Sequence, residues 1–447
     1  MPISDEIFHA YDIRGAAEEL SGDLARRVGA SVAALTKAKC VVVGRDMRTT
    51  SPGLAKAVIE GIAAQGVDVV DIGLCSTPVF NFAVAASAEH EAGVMVTASH
   101  NPAKYNGFKM LRGDAMPISG EEIKPVVLGW SAKVSDHLGT VRSVDMAPLY
   151  LKRVFEMARV SSLKGMKVVV DAGNGMGGAI LPALFAGLDC EMVPLYFDLD
   201  GRFPNHEANP VKPETLKDLQ EKVAEVGADL GIALDGDADR VGLVDENGTF
   251  VNGDLLLAVL AEEELRANPG KGVVYSPNAS WAIRDAIKRA GGIPLLEKVG
   301  RSNIIRRMKI EGAAFGGEVS AHYFFPAFSC MESTDYVILL VLKWLKESGK
   351  KASEWLAPYR VYAQSGEINF SVGDKEAVLA GLEERYGSSA VLANTLDGLR
   401  IEFEDWWFNV RKSNTEPFVR LNLEATSPAL MAEKRDEIFK AIQEFGK

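Results

Sequence analysis

Residues 94–109 read Val-Met-Val-Thr-Ala-Ser-His-Asn-Pro-Ala-Lys-Tyr-Asn-Gly-Phe-Lys, and this stretch says most about the fold. An apolar, strand-like run from Val94 ends abruptly in small and polar residues centred on Ser99. The Asn-Pro and Asn-Gly pairs that follow are typical of turns. An exposed serine at a strand end, with His100 and Lys109 close by, suits a nucleophile that carries a phosphate. The stretch therefore predicts a strand that ends in a functional loop.

Ser99 has other interpretations. A hydrolase elbow requires Gly-x-Ser-x-Gly, whereas Ser99 lies between Ala98 and His100. Taken alone, an exposed Ser-His pair is more often a cap or a turn than a nucleophile. The other motifs of the chain are what favour the catalytic interpretation.

Composition and charge limit the class of protein. A chain of 447 residues is too long for one hydrophobic core and favours three or four domains. The formal net charge of −12 argues against general nucleic-acid or anionic-membrane binding. The four cysteines lie far apart without a Cys-x-x-Cys pair, and the N-terminus lacks a basic start and an apolar signal core. We therefore expect a cytoplasmic protein without nucleic-acid or membrane partners.

Short β-branched strands alternate with amphipathic helices along most of the chain. A buried strand begins at Cys40, and a helix over 51–64 follows it, with Ser51 as the expected cap. The pattern restarts at Met166 and again at Gly272. These repeats predict three successive α/β domains.

The character of the sequence changes beyond about residue 360. Strand-like runs such as 406–410 stand between helices expected near 375–385 and 429–445, which predicts a small α+β domain. The four expected domains span residues 1–146, 147–249, 250–360 and 361–447.

The run Asp235-Gly-Asp-Ala-Asp-Arg240 follows an apolar strand at 230–234. Its three carboxylates alternate along the chain, so on a tight loop they converge on one hard cation. Three oxygens and some open positions suit Mg²⁺, whereas a solvated acidic turn is the plain alternative. An EF-hand calcium loop is rejected, because Arg240 stands where that loop needs glycine.

Two later segments also cluster polar side chains. Residues 411–420 offer an arginine fork, hydroxyls and backbone donors for a phosphate dianion, although a polar hairpin explains them as well. In residues 315–325, a Gly-Gly turn would present Glu318, Ser320 and His322 on alternate, same-facing positions. Carboxylate and hydroxyl groups suit sugar hydroxyls, and an exposed strand edge is the alternative.

Two cations fit the same picture. Arg14 and Arg48 lie next to strands and could border the Ser99 cleft.

Taken in order, these segments resemble the α-D-phosphohexomutase superfamily, in its bacterial phosphomannomutase and phosphomannomutase/phosphoglucomutase branch. The match runs from Phe8-His-Ala-Tyr-Asp-Ile-Arg-Gly15 to the loop at 411–420, nearly the whole chain. Four ordered motifs at family-like spacing make it specific. The resemblance implies an α/β, four-domain, heart-shaped phosphohexomutase architecture, in which three similar α/β domains precede a C-terminal TATA-binding-protein-like α+β domain.

The resemblance also implies a role for each site residue. Ser99 would be the phosphoserine, and with its phosphate it would hold Mg²⁺ together with Asp235, Asp237 and Asp239. The catalytic cleft would contain Tyr11, Arg14, Lys109, Arg240 and His322. The residues that would bind the sugar or its non-reacting phosphate are Arg301, Glu318, Ser320, Arg411, Ser413, Asn414, Thr415 and Arg420.

The implied reaction is the reversible interconversion of mannose 6-phosphate and mannose 1-phosphate through a hexose 1,6-bisphosphate. The substrate is a hexose phosphate, either Lys109 or His322 would carry the proton, and the chain would be a monomer or a weak homo-oligomer. A mutase that also takes glucose phosphates, a Mg²⁺-dependent sugar phosphatase and a non-catalytic sensor remain as alternatives.

Two positions depart from the family pattern. Arg301 stands where relatives usually carry the histidine of a Thr-Gly-His stretch, and Asn278 stands where they commonly carry lysine or arginine. We interpret the pair as one cation moved between neighbouring loops, a hypothesis that fails if neither residue affects activity.

Overall fold

The computed structural model describes residues 3–131, 135–412 and 418–446. The chain forms two compact units. The first contains the chain up to Gly253 together with Ser320–Trp355, and the second contains Asp254–Val319 and the chain from Leu356 onward.

The N-terminal region is a sheet with helices between its strands. Its elements are β1 (Ile13–Ala16), α1 (Gly22–Thr36), β2 (Cys40–Arg45), α2 (Ser51–Ala63), β3 (Asp68–Leu74), α3 (Thr77–Ala85), β4 (Ala92–Val96), β5 (Tyr105–Arg112), β6 (Pro117–Ile118), α4 (Gly120–Leu128) and β7 (Val141–Ser143). The strand order is β1-β5-β4-β2-β3-β7, and β4, β2 and β3 run parallel. β5 returns antiparallel to β4 and pairs Phe108 with Val96, so the Ser99 loop lies at the carboxyl end of β4.

A second sheet follows in the first unit. Its elements are α5 (Ala147–Ala158), β8 (Lys167–Asp171), α6 (Gly177–Ala186), β9 (Glu191–Leu195), α7 (Lys217–Val226), β10 (Leu230–Leu234), β11 (Val241–Asp245) and β12 (Phe250–Val251). β9, β8 and β10 are parallel, and β11 pairs antiparallel with β10. Because Leu234 pairs with Val241, residues 235–240 form the loop of this hairpin.

The third region contributes to both units. Its elements are α8 (Gly253–Ala267), β13 (Gly272–Tyr275), α9 (Trp281–Arg289), β14 (Ile293–Leu296), α10 (Arg301–Glu311), β15 (Phe315–Glu318), β16 (His322–Phe325), β17 (Met331–Glu332), α11 (Thr334–Ser348) and α12 (Ala352–Leu356). In the second unit, β14, β13 and β15 are parallel. In the first, β16 and β17 form an antiparallel pair before α11.

The C-terminal region of the second unit is a separate antiparallel sheet. Its elements are β18 (Ala363–Gln364), β19 (Ile368–Ser371), α13 (Lys375–Tyr386), β20 (Leu392–Asn394), β21 (Leu399–Glu402), β22 (Trp406–Lys412), β23 (Phe418–Ala425) and α14 (Pro428–Phe445). The strand order is β18-β23-β22-β21-β20, with β19 also on β23. Apolar side chains of α13 and α14 form one core with this sheet. Short 3₁₀ turns occupy Asp5–Ile7, Pro213–Leu216, Pro326–Phe328, Ala357–Tyr359 and Gly387–Ser389.

The order of elements agrees with three α/β regions followed by an α+β region. The domain boundaries expected from the sequence stay predictions.

Two local expectations were wrong. The N-cap of α2 is Thr50, and the Ser51 hydroxyl instead donates a hydrogen bond to the Asp46 carboxylate at 2.5 Å. The Gly-Gly pair at 316–317 lies inside β15, and the turn falls at 319–321. A Cβ on Gly316 would lie 2.5 Å from the sulfur of Met308, so close packing against α10 requires glycine there.

Candidate active site

Ser99 lies in the loop between β4 and β5, next to the hairpin loop of the aspartates. Its hydroxyl donates a hydrogen bond of 2.6 Å to Oδ2 of Asp235. The expectation of an exposed serine was wrong, because Ser99 is only 2% exposed. Gly236 packs against it so closely that a Cβ on Gly236 would lie 2.5 Å from the Ser99 carbonyl oxygen. The two loops therefore meet backbone to backbone.

The three aspartates of the hairpin loop converge as their spacing suggests. Asp235, Asp237 and Asp239 are at most 2% exposed, and one carboxylate oxygen from each lies within 4.8 Å of the others. Buried carboxylates at this separation repel one another unless cations lie between or beside them. The cluster therefore has the donor set and spacing of a metal site.

All three carboxylates are held by hydrogen bonds or ion pairs. Oδ1 of Asp235 accepts the backbone N–H groups of Asp239 and Arg240 at 3.0 and 3.1 Å. Lys109 donates from Nζ to Oδ2 of Asp237 at 2.6 Å and to Oδ2 of Asp239 at 2.5 Å. Among the described residues, the buried Oδ1 of Asp237 has no hydrogen-bond partner, and Oδ1 of Asp239 lies 3.5 Å from Nε2 of His322. The open position on Asp237 fits a hard cation that would complete its coordination.

The electrostatics of the cluster point the same way. Burial, and then the neighbouring charges of Asp239 and Asp237, raise the pKa of Asp235 well above its ordinary value. Arg240 and Lys109 oppose that shift in pKa without cancelling it. A divalent cation would relieve the repulsion directly.

Three threonines form hydrogen bonds with the aspartate loop, and no sequence motif indicated them. Thr77, in the first turn of α3, donates its hydroxyl to Oδ2 of Asp237 at 2.6 Å and its backbone N–H to the Asp237 carbonyl at 2.9 Å. The hydroxyl of Thr97 donates to the same Oδ2 at 3.2 Å and accepts the Ser99 N–H at 2.9 Å. Thr334 donates to the carbonyl of Ala238 at 2.6 Å. These partners are distant in sequence, so only a contact map could reveal them.

Arg14 lies at the side of the serine loop. Its guanidinium donates to the side chains of Asn101 at 2.9 Å and Asp12 at 2.6 Å. Burial acts to lower the pKa of Arg14, but the charges of Asp12, Asp237 and Asp239 together outweigh it, and the pKa is raised above the ordinary value. Tyr11 is 42% exposed. Arg14 is thus a fixed positive charge beside the Ser99 loop.

His322 is linked to the site through Arg240. Nε of Arg240 donates to Nε2 of His322 at 3.3 Å, and Nδ1 of His322 lies 2.9 Å from the Ser320 hydroxyl. Nε2 of His322 also lies 3.5 Å from Oδ1 of Asp239, so this nitrogen faces both a guanidinium and a carboxylate. His322 therefore connects Arg240 and Ser320 to the aspartate cluster.

His100 is a second histidine at the nucleophile. Its Nδ1 lies 3.3 Å from the Ser99 hydroxyl oxygen. Burial first, and then the charges of Arg240 and Arg14, lower the pKa of His100 well below its ordinary value. The sequence analysis noted His100 next to Ser99 but did not predict it as a site residue. Its neutral imidazole is a further candidate proton carrier.

The remaining expected site residues lie in the second unit. Glu318 accepts the Gly300 N–H at 2.7 Å, just before Arg301 begins α10. Arg411 forms an ion pair with Asp397 at 3.5 Å, and Asp397 also accepts the Val299 N–H at 3.1 Å.

The structure describes the two ends of the segment at 411–420. The strands β22 and β23 pair Arg411 with Arg420, and Arg420 forms an ion pair with Glu367 at 3.4 Å. Ser413, Asn414 and Thr415 lie outside the described residues.

Comparison with known proteins identifies the family. Models of the phosphoglucomutase/phosphomannomutase family match in order: α/β/α domain I at residues 5–128, α/β/α domain II at 148–248, α/β/α domain III at 252–362 and the C-terminal domain at 367–441. The chain belongs to this family. It is a phosphohexomutase, an isomerase with three α/β domains and a fourth, C-terminal domain, and the expected fold class is confirmed.

Individual relatives match over nearly their full length. The phosphohexose mutases of Xanthomonas campestris pv. campestris are 39% identical over 439 residues, which cover 96% of this chain and 97% of theirs. A phosphomannomutase of Salmonella montevideo is 37% identical over 441 residues, 96% of each chain. The crystal structure of a phosphoglucomutase/phosphomannomutase family protein from Burkholderia thailandensis is 35% identical, with a TM-score of 0.91 over 99% of this chain and 98% of that one.

Within the described part of the chain, no helix combines the length and apolar character needed to cross a membrane.

Proposed function

We propose that this chain interconverts mannose 6-phosphate and mannose 1-phosphate through phospho-Ser99 and a hexose 1,6-bisphosphate. The observation that carries the proposal is the contact of the Ser99 hydroxyl with the buried cluster of Asp235, Asp237 and Asp239. A serine in this position would carry a phosphoryl group whose charge a metal and nearby cations neutralise.

The transfer conserves the phosphoryl group. The free hydroxyl of the sugar phosphate attacks the phosphorus of phospho-Ser99, a new P–O bond forms, and the bond to Oγ of Ser99 breaks. The hydroxyl proton passes to a base, and Oγ recovers a proton, so the bisphosphate and an unmodified Ser99 result. The bisphosphate then turns, and Ser99 accepts the phosphoryl group from the other end by the reverse steps.

The metal is part of this proposal, and Mg²⁺ fits the donor set. Asp235, Asp237 and Asp239 would hold it, and among the described residues the buried Oδ1 of Asp237 has no hydrogen-bond partner. Mg²⁺ bound there would neutralise charge on the transferred phosphoryl group.

Lys109 and Arg14 would act on the same charge from the protein side. The ammonium of Lys109 forms ion pairs with Oδ2 of Asp237 and Oδ2 of Asp239. Arg14 supplies a guanidinium beside the serine loop through Asn101. Their part in catalysis is positioning and charge neutralisation, which phosphoryl transfer mainly requires.

The proton carrier has three candidates on the described geometry. Lys109 contacts two carboxylates, and Nε2 of His322 contacts Arg240 and Asp239, whereas Nδ1 of the neutral His100 lies 3.3 Å from Oγ of Ser99. We therefore propose His100, beside Lys109 and His322, as a candidate proton carrier.

The binding of the sugar and of its non-reacting phosphate follows from the resemblance. Contacts to the sugar hydroxyls are proposed for Glu318 and Ser320. Binding of the non-reacting phosphate is proposed for Arg411, Ser413, Asn414, Thr415 and Arg420, and a substrate contact for Tyr11 and Arg301. A cytoplasmic location and a monomeric or weakly oligomeric state complete the proposal.

Side-by-side turnover of mannose 1-phosphate, glucose 1-phosphate and glucosamine 1-phosphate tests the substrate. We expect the highest kcat/KM with mannose 1-phosphate. Comparable values for mannose and glucose phosphates would establish the dual-specificity alternative, and a preference for the amino sugar would contradict the proposal. Net release of inorganic phosphate in place of isomer would support the phosphatase alternative.

A further inference from the structure

Arg48 is a buried cation that the proposed mechanism does not use. It lies in the loop between β2 and α2, its side chain is 1% exposed, and it ranks among the largest fully buried side chains. A buried guanidinium requires a specific set of acceptors, because desolvation of an unpaired charge is costly.

The acceptors of Arg48 are backbone carbonyls of the Ser99 loop. Nη1 donates to the carbonyl oxygens of Pro102 and Tyr105, both at 2.9 Å. Nη2 donates to the carbonyl oxygen of Ser99 at 2.8 Å and to that of Asn101. One side chain therefore ties four carbonyls across seven residues of loop.

The charge of Arg48 is balanced on its other side. Nε of Arg48 lies 3.3 Å from Oδ2 of Asp46, which is fully buried, and Oδ1 of Asp46 accepts the Arg48 N–H at 3.0 Å. The ring of Phe203 lies 5.0 Å from the guanidinium carbon. Contacts with Asp46 and Phe203 thus orient the Arg48 side chain that binds the loop carbonyls.

The loop needs such a tie, because its backbone is strained at the nucleophile. Ser99 has a φ of +51°, in the left-handed region that a residue with a side chain rarely adopts. The Thr97 hydroxyl accepts the Ser99 N–H and Arg48 donates to the Ser99 carbonyl, so the peptide groups on both sides of Ser99 are held.

We propose that Arg48 is the positioning residue of the phosphoserine loop: through four backbone carbonyls it sets the place of Oγ of Ser99 without contacting substrate. This inference rests on the proposed role of Ser99. A lysine cannot replace it, because one ammonium has three donors and lacks the planar fork that reaches two pairs of carbonyls.

The test compares Arg48→Lys with Arg45→Lys. Arg45 is the neighbouring arginine, it is partly exposed, and its guanidinium donates to the Asp46 carbonyl at 3.4 Å. Kinetics, amide hydrogen exchange of residues 98–106 and intact mass are measured for both variants and the unmodified chain. Amide exchange measures directly how firmly the loop backbone is held. It therefore tests the effect of Arg48 even where there is no turnover.

We expect Arg48→Lys to lower kcat by roughly 10- to 100-fold with little change in KM, as misplacement by about 1 Å does. Amide exchange of residues 98–106 should quicken in this variant alone, and Ser99 should become phosphorylated more slowly by the bisphosphate. Arg45→Lys should match the unmodified chain in all three.

Unchanged kcat and unchanged exchange in folded Arg48→Lys would overturn the inference, whereas an inactive unmodified chain with faster exchange in the variant would overturn only the proposed function. If Arg48→Lys does not fold, Arg48→Gln is tested in its place, since the glutamine amide retains two N–H donors and carries no charge. Faster exchange with normal turnover in Arg48→Gln would also contradict the proposal, because the loop would then be held for stability and not for catalysis.

Discussion

The Ser99 hydroxyl and the Asp235 carboxylate are 136 positions apart in the chain and 2.6 Å apart in the fold. The first belongs to the loop after β4, the second to the hairpin loop after β10. Their contact joins a candidate nucleophile to a candidate metal site, and four predictions concern this junction or the core that supports it.

Replacing Ser99 by alanine removes the phosphate-accepting oxygen. We expect mutase turnover to fall by roughly 10⁴-fold or more, because no other group in the mechanism can carry the phosphoryl group. Intact mass after incubation with bisphosphate should show a phosphoryl group on the unmodified chain and none on the variant. The exposed Ser161 supplies the control, and Ser161→Ala should be phosphorylated normally. Phosphorylation of Ser99→Ala would place the carrier elsewhere.

Thr77→Val removes the hydroxyl that donates to Oδ2 of Asp237. The carboxylate then loses part of its orientation, and such losses behind a metal ligand weaken metal binding by roughly 10- to 100-fold. Titration calorimetry with Mg²⁺ measures the change without reference to turnover. Thr77→Ser keeps the hydroxyl and should bind Mg²⁺ nearly as the unmodified chain does. Equal affinity in both variants would show that Thr77 does not orient Asp237.

Gly236→Ala introduces a Cβ that would lie 2.5 Å from the Ser99 carbonyl oxygen. Backbone must move in one of the two loops, so we expect kcat to fall by roughly 100-fold. Gly53→Ala, in α2, is the matched control, since a Cβ there meets nothing within 4 Å. That control should raise the free energy of unfolding by up to about 1 kcal/mol and leave turnover unchanged. Full activity in Gly236→Ala would contradict the close approach.

Asp335 gives the stability of the chain a pH dependence. It is 1% exposed and accepts the Tyr150 hydroxyl at 2.8 Å, and burial raises the pKa of Asp335 to about 6. A raised pKa in an acid means that the folded state holds the proton more tightly than the unfolded state does. Stability is therefore highest below the unfolded pKa and is lost as the pH rises from about 4 to about 6.

The loss from Asp335 amounts to roughly 3 kcal/mol over that range. Asp335→Asn carries no titrating group at this position, so it does not suffer this loss. The free energy of unfolding of the variant, relative to that of the unmodified chain, should therefore increase as the pH rises. Urea denaturation along a pH series measures the difference. The exposed Asp68 is an opposite control, because hydrogen bonds from Thr140 lower the pKa of Asp68 and its contribution is lost as the pH falls. A pH-independent difference between Asp335→Asn and the unmodified chain would contradict the assignment.

Much of the candidate site could be predicted from the sequence, because the motifs that indicate it involve neighbouring positions in the chain. The end of β4 at Val96 follows from an apolar run that stops at small, polar residues. The alternation of Asp235, Asp237 and Asp239 is likewise a property of neighbouring positions, and it correctly indicated that their carboxylates converge.

Burial of the nucleophile could not be read from the same signals. Ser99 was expected to be exposed, and the hairpin loop 136 positions away is what covers it. The Gly316-Gly317 pair was expected to turn, because glycine is permissive, yet both residues lie in a strand, where Gly316 packs closely against Met308.

The sequence by itself determined the order of strands and helices, the residue types of the nucleophile and acidic loops, and the family they define. Tertiary structure alone decided which side chains support those loops, among them Thr77 and Thr334. The physical reason is that periodicity and turn chemistry act between neighbours in the chain, whereas a hydrogen bond to a distant carboxylate or carbonyl depends on where the packed elements bring their ends together.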